Sequence, residues 1–266
     1  MIFHSAFENS YLWLPLFGFA IGLIGSLIGG GGGFFFLPVL ILVYNIPAQI
    51  SVATSLAATL PICFIGSIGH YRHGNMDLHT GLLYSGAGIA GALSGASLTS
   101  MMTPGQLKVS FGIYSVLLSI YMVISHWKEK RARADGEGLP GNSGFRKFAK
   151  GSFFGFLAGV ITATFGTSGA APVQAGLFAM HLPIKLVVGT SLFVVLFNTF
   201  SALGAHFLVG EIDLTLVVLL ASGAALGALS GPKLLSSVNI DHAEGPVRFW
   251  YAMAMAAFGI AMIITR

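Results

Sequence analysis

Of the 266 residues, 55% are hydrophobic and only 8% are charged, and the mean hydropathy is +0.84. A soluble domain carries about 25% charged residues, so this composition excludes one and calls for a chain dissolved in a bilayer. The net charge of +4 does not mark a nucleic-acid binder, because the basic residues concentrate in one linker; the single cysteine, Cys63, excludes an intrachain disulfide and a cysteine metal cluster.

The N-terminal stretch Met1–Ser10 has no Lys or Arg, so nothing reads as a cleavable targeting segment. Ten apolar segments follow. In the first half they fall at 11–29, 34–45, 50–71, 78–100 and 106–126. In the second they fall at 148–165, 170–181, 186–208, 212–235 and 247–265. Eight are long enough to cross a hydrocarbon core of about 30 Å as helices. The second of each half is not. Each short segment follows a break: Gly29–Gly33 in the first half, and Phe165–Gly169 (F-G-T-S-G) in the second. The expectation is an all-α polytopic membrane protein with eight long helices and two short, broken or re-entrant segments. It divides into a first transmembrane repeat (1–127), a basic linker (128–147) and a second transmembrane repeat (148–266).

The division rests on an internal duplication. G-A-L-S-G occurs at Gly91–Gly95 and again at Gly227–Gly231, an offset of 136 (227 − 91). The same offset pairs Pro47 with Pro183 and Thr54-Ser55-Leu56 with Thr190-Ser191-Leu192. It also pairs His70 with His206, Gly74 with Gly210 and Asp77 with Asp213, while Pro38 matches Pro172 with a slip of two. Two repeats with short, interrupted segments at matching positions are the sequence pattern of a transporter. An odd number of crossings per half inverts the second repeat. The linker holds Lys128, Lys130, Arg131, Arg133, Arg146 and Lys147, and positive loops stay inside. The expected placement is therefore multi-pass in the cell inner membrane, with both termini extracytoplasmic and 128–147 cytoplasmic.

A helix that begins inside the membrane offers unpaired N–H groups and the positive end of its dipole. Two such ends make an anion site without a buried lysine. The expected substrate-binding residues are Gly30, Gly31, Gly32 and Gly33 of the first break, and Gly166, Thr167, Ser168 and Gly169 of the second. Thr54, Ser55, Thr190 and Ser191 either line this site or bond back to their own helices. Asn198 is a costly polar group deep in a helix, and should face a polar partner or a cavity. His70 and His206 are either interfacial or take part in gating or proton coupling. Asp77 and Asp213 read as helix caps. Gly22, Gly25, Gly91, Gly95, Gly227 and Gly231 read as packing positions. On this basis Gly31→Val should block transport and Gly95→Ala should be tolerated better. No spacing of His, Cys or acids suggests a metal site, and no cofactor is expected.

Gly166-Thr167-Ser168-Gly169 followed by His206 also fits an intramembrane serine protease. The duplication explains both parts without an enzyme, since they match the polyglycine and His70.

The run G-G-G-G-G-F-F-F-L-P at Gly29–Pro38, A-T-S-L at Ala53–Leu56, G-S-I-G-H-Y-R-H-G-N-M-D-L at Gly66–Leu78 and the repeated G-A-L-S-G resemble the sulfite exporter TauE/SafE family. Further matches are G-T-S-L at Gly189–Leu192 and G-A-H-F-L-V-G-E-I-D-L at Gly204–Leu214. The resemblance covers nearly the whole chain. It implies an inner-membrane permease for a small sulfur-containing anion: sulfite, or an organosulfonate such as sulfoacetate. None of the nine acids lies centrally in an apolar segment, so export driven by the membrane potential is the leading reading. Ion-coupled uptake of a sulfur oxyanion is the alternative. The expected partners are a small anionic substrate and the lipid bilayer, with a homodimer left open.

Overall fold

The computed structural model describes residues 2–5, 7–134, 144–180, 182–209, 211–237 and 240–265. Side chains are described outside 125–148, 150, 208–209, 237 and 240–248. A 3-10 turn at Asn9–Trp13 leads into α1 (Leu14–Ile28), α2 (Gly33–Leu42), α3 (Ala48–Arg72), α4 (Leu78–Met101) and α5 (Pro104–Ala134). The second half comprises α6 (Gly144–Phe165), α7 (Ala170–Phe178), α8 (Ile184–Val209), α9 (Leu214–Ser237) and α10 (Ile240–Ile264). Two short strands, β1 (Ile2–Phe3) and β2 (Ile212–Asp213), pair in parallel. α5 and α6 extend into the 128–147 linker, and 135–143 lie outside the described residues. Gly210, the expected match of Gly74, also lies outside them.

The all-helical polytopic architecture is as the sequence implies. Among the described residues, five helices are both long and apolar enough to cross a membrane. They are Asn9–Ile28, Ala48–Arg72, Pro104–Ile124, Ile184–Phe207 and Leu214–Ser236. α4 has the length, 24 residues, but carries Ser85, Ser94, Ser97 and Thr99, which lower its hydropathy.

The two short helices turn back. The Tyr44 hydroxyl, just past α2, donates to the Ser10 carbonyl at 3.1 Å, and the Tyr11 and Tyr44 rings lie 5.5 Å apart. α2 therefore returns to the side on which α1 begins. α7 behaves alike: Gly176 lies against Tyr84 and against Phe154, midway back along α6. At 10 and 9 residues, each returning helix is about 15 Å long or less, half a bilayer core.

Glycine sets the closest packing. Gly18 and Gly22 lie on the backbone of Leu220 and Ala224, while Gly223 and Gly227 lie on that of Pro15 and Phe19. α1 and α9 thus run parallel in backbone contact. α4 and α6 repeat this, Gly91 and Gly95 meeting Phe156 and Val160, and Gly159 meeting Gly88. So the first segment of each half packs on the fourth segment of the other. In contrast, α3 and α8 run antiparallel, with Gly66 against Leu192 and Gly189 against His70. α5 and α10 also run antiparallel, with Gly112 against Gly259 and the Ser119 hydroxyl donating to the Ala252 carbonyl at 2.7 Å.

This corrects one expectation. Gly95 is a packing residue, and for that reason it does not tolerate alanine: a Cβ there would overlap the Val160 carbonyl and sit 3.0 Å from the Ala163 Cβ. Gly95→Ala should lower stability by about 1–3 kcal/mol. Gly86→Ala, where nothing lies within 4 Å, is the control and should leave the unfolding temperature in detergent unchanged.

Candidate functional site

A break in a membrane helix strands backbone N–H and C=O groups in a medium that cannot hydrate them. In the first break, Gly29, Gly31 and Gly32 take φ of +78°, +64° and +75°, which glycine alone adopts without strain. The amides of Gly30 and Gly31 both donate back to the Gly25 carbonyl, at 2.9 and 3.1 Å. In the second break, Gly166 and Gly169 take φ of +63° and +52°. α2 and α7 start directly after Gly32 and Gly169, and neither start has a side-chain cap.

The two breaks touch. The Ser55 hydroxyl donates to the Gly166 carbonyl at 2.8 Å and lies 3.1 Å from that of Gly33. The Ser191 hydroxyl lies 2.9 Å from the Gly29 carbonyl and 3.0 Å from that of Val188. Gln174 on α7 donates to the Ile28 carbonyl at 2.7 Å and reaches Ser191 at 3.4 Å. A hydroxyl has one proton to give. Those of Ser55 and Ser191 go to backbone carbonyls, so Ser55 ties the two breaks together and Ser191 ties the first break to α8.

Other expected residues serve as clasps. Thr54 Oγ1 accepts the Asp213 amide at 3.2 Å, and Thr190 Oγ1 accepts the Asp77 amide at 2.9 Å. Asp77 caps α4 through the Thr80 amide, and Asp213 caps α9 through the amides of Thr215 and Leu216. His70 Nε2–H donates to the Ser26 carbonyl at 2.9 Å, and His206 Nε2–H to that of Ala163 at 2.7 Å. The histidines thus occupy carbonyls near the ends of α1 and α6. Among the described residues no hydrogen bond joins His206 to Ser168, the pair a protease would need. Asn198 is fully buried against Gly88, and neither of its amide atoms has a partner.

One small cavity, of about 30 Å³, opens beside the breaks. Gly30, Thr167, Ser168 and Gly169 line it, with Ala170 and Ala171 of the first turn of α7. Facing them are Tyr114 of α5 and Tyr251 of α10. Its lining includes no charged residue. Of the expected site residues, these four meet at the cavity. Gly31, Gly32, Gly33 and Gly166 lie behind it, against Cys63, Ile21, Thr59 and Val52. Thr54, Thr190, Asn198, His70 and His206 do not line it.

Sequence reasoning missed Tyr114, Tyr251 and Gln174. The tyrosines are themselves a duplicated pair, 137 residues apart (251 − 114), one step off the main offset. Gln174 is a polar side chain within a short apolar helix, a rarity that marks a function or a partner.

The model of the sulfite exporter TauE/SafE family matches residues 14–262. The chain belongs to the TauE/SafE family. It is 30% identical to the probable membrane transporter protein YdhB of Bacillus subtilis (strain 168), over 81% of this chain and 86% of that relative. It is 23% identical to the probable membrane transporter protein YunE of the same organism, over 85% and 88% of the two chains. A probable membrane transporter protein of Xylella fastidiosa (strain Temecula1 / ATCC 700964) is 27% identical, over 85% of each. No solved structure matches. This TauE/SafE protein is a multi-pass membrane transporter.

Its two breaks depend on the serine ties. Ser55→Ala would leave the Gly166 carbonyl without that donor and should destabilise the protein by about 1–3 kcal/mol. Ser94→Ala should leave the unfolding temperature unchanged, because Ser94 is exposed and bonds only to its own helix.

Proposed function

We propose that this transporter exports a small sulfur oxyanion, sulfite or an organosulfonate such as sulfoacetate, through the cavity at the breaks. The observation that carries the reading is the start of α7. There an uncapped helix end, a buried hydroxyl on Thr167 without a partner and the open face of Gly30 share one uncharged cavity. Free N–H groups and the helix dipole favour an anion at such an end. The absence of a fixed positive charge lets the anion leave again. Membership of a family described as sulfite exporters supports the substrate class.

The halves act as inverted repeats, a reading supported by the antiparallel pairing of α3 with α8 and of α5 with α10. The cytoplasmic linker 128–147 and extracytoplasmic termini follow from loop charge. A cavity of about 30 Å³ holds about two water molecules, so passage requires the lining to open. α5 and α10 pack chiefly on one another, and they are the elements that move as a pair. A negative interior drives anion exit by about 2.3 kcal/mol per charge per 100 mV, twice that for a dianion. Export therefore needs no coupling ion.

Purified protein in liposomes tests this. Sulfite flux should follow an imposed voltage in the absence of any proton or sodium gradient. Flux that appears only with an ion gradient supports coupled uptake instead, and cleavage of a helical substrate supports the protease.

A further inference from the structure

Five consecutive glycines invite one explanation, yet their environments differ. Gly29, Gly31 and Gly32 have positive φ. Gly33 does not, but a Cβ on it would sit 2.8 Å from Thr59 Oγ1 and 3.2 Å from the Gly166 carbonyl. Gly30 meets neither demand. Its φ lies outside the left-handed region, and a Cβ there would find one atom within reach, the Tyr251 hydroxyl at 4.0 Å. Folding gives no reason for glycine at position 30. The space a side chain would take is cavity.

The second break answers with a different residue. Gly32 and Gly169 both precede a short helix with positive φ, which sets the local offset at 137 (169 − 32). Gly29 and Gly166 obey the same offset, and so do Tyr114 and Tyr251. The position equivalent to Gly30 is then Thr167. Thr167 is 2% exposed, lines the same cavity, and its hydroxyl has no hydrogen-bond partner. Buried hydroxyls are nearly always paired, so an unpaired one needs a reason.

We infer that Gly30 and Thr167 form one asymmetric oxyanion subsite, which rests on the anion reading above. Thr167 donates its hydroxyl proton to an anion oxygen at the start of α7. Gly30 clears the room that the anion occupies beneath Tyr251. The first break contributes space and the second contributes the donor, so the duplicated ends are not equal ligands. The clearance at Gly30 also sets how large the anion can be.

The test uses the full chain in liposomes, with sulfite and sulfoacetate as probes and the unfolding temperature as the check on folding. Thr167→Val keeps the shape and removes the donor. It should weaken sulfite binding about fivefold, the worth of one neutral hydrogen bond, and Thr167→Ser should restore it. Gly30→Ala should fold normally and shift the sulfoacetate-to-sulfite flux ratio down by about tenfold, the usual effect of one added carbon in a fitted pocket. Wild-type binding in Thr167→Val, or an unchanged ratio in Gly30→Ala, overturns the subsite while leaving the transporter reading in place. A wild-type protein that neither binds nor moves either anion overturns both. Should Thr167→Val fail to fold, the Gly30→Ala ratio alone decides.

Discussion

Everything in this fold depends on how backbone groups are paired where two helices break inside a membrane. Hydrocarbon offers no water to replace a lost hydrogen bond. The protein solves this with side chains from the crossing helices α3 and α8 and from the short helix α7. Ser55 on α3 donates to the Gly166 carbonyl of one break while lying against the Gly33 carbonyl of the other. Ser191 on α8 and Gln174 on α7 hold the carbonyls of Gly29 and Ile28. Carbonyls near the ends of α1 and α6 go to His70 and His206. The carbonyls are well served, whereas the N–H groups at the starts of α2 and α7 have no side-chain cap. The anion proposed above rests on this contrast between tied carbonyls and helix starts without a side-chain cap.

The same solution explains how the halves are interleaved. A break can be tied only by residues that reach it, and in each duplicated Thr-Ser pair the serine reaches a break and the threonine reaches a loop. Thr54 and Thr190 clasp the amides of Asp213 and Asp77, each in the opposite half. Glycine faces let α1 lie on α9 and α4 on α6 with backbones in contact. The halves are therefore bound across their length, and the pair α5 and α10 is left as the element least engaged with the rest.

Much of this was legible in the sequence, because membrane helices announce themselves by length and composition and a duplication announces its own register. The all-helical fold, the short second segments and the capping roles of Asp77 and Asp213 all follow from local rules. What each site residue does was less legible. Ser55 and Ser191 look like ligands in a sequence, since a hydroxyl beside a break could face either a substrate or a carbonyl. Polyglycine has no internal landmark, so the one-residue slip between breaks was hidden, and with it the pairing of Gly30 with Thr167. Gly31→Val reads from the sequence as a block at the ligand, yet the missing side chain of Gly31 faces Cys63. Tyr114 and Tyr251 lie far along the chain from either break and come to the cavity only by the folding of α5 and α10.

The central claim is that an anion is held at the start of α7 beside Gly30. Selenite has the pyramidal shape and charge of sulfite, and its selenium is visible by anomalous scattering. A crystal of the protein soaked in selenite should show one selenium peak within hydrogen-bonding reach of the Ala170 and Ala171 amides and the Thr167 hydroxyl. Peaks confined to the surface, or a peak inside the protein away from both helix starts, would contradict the account.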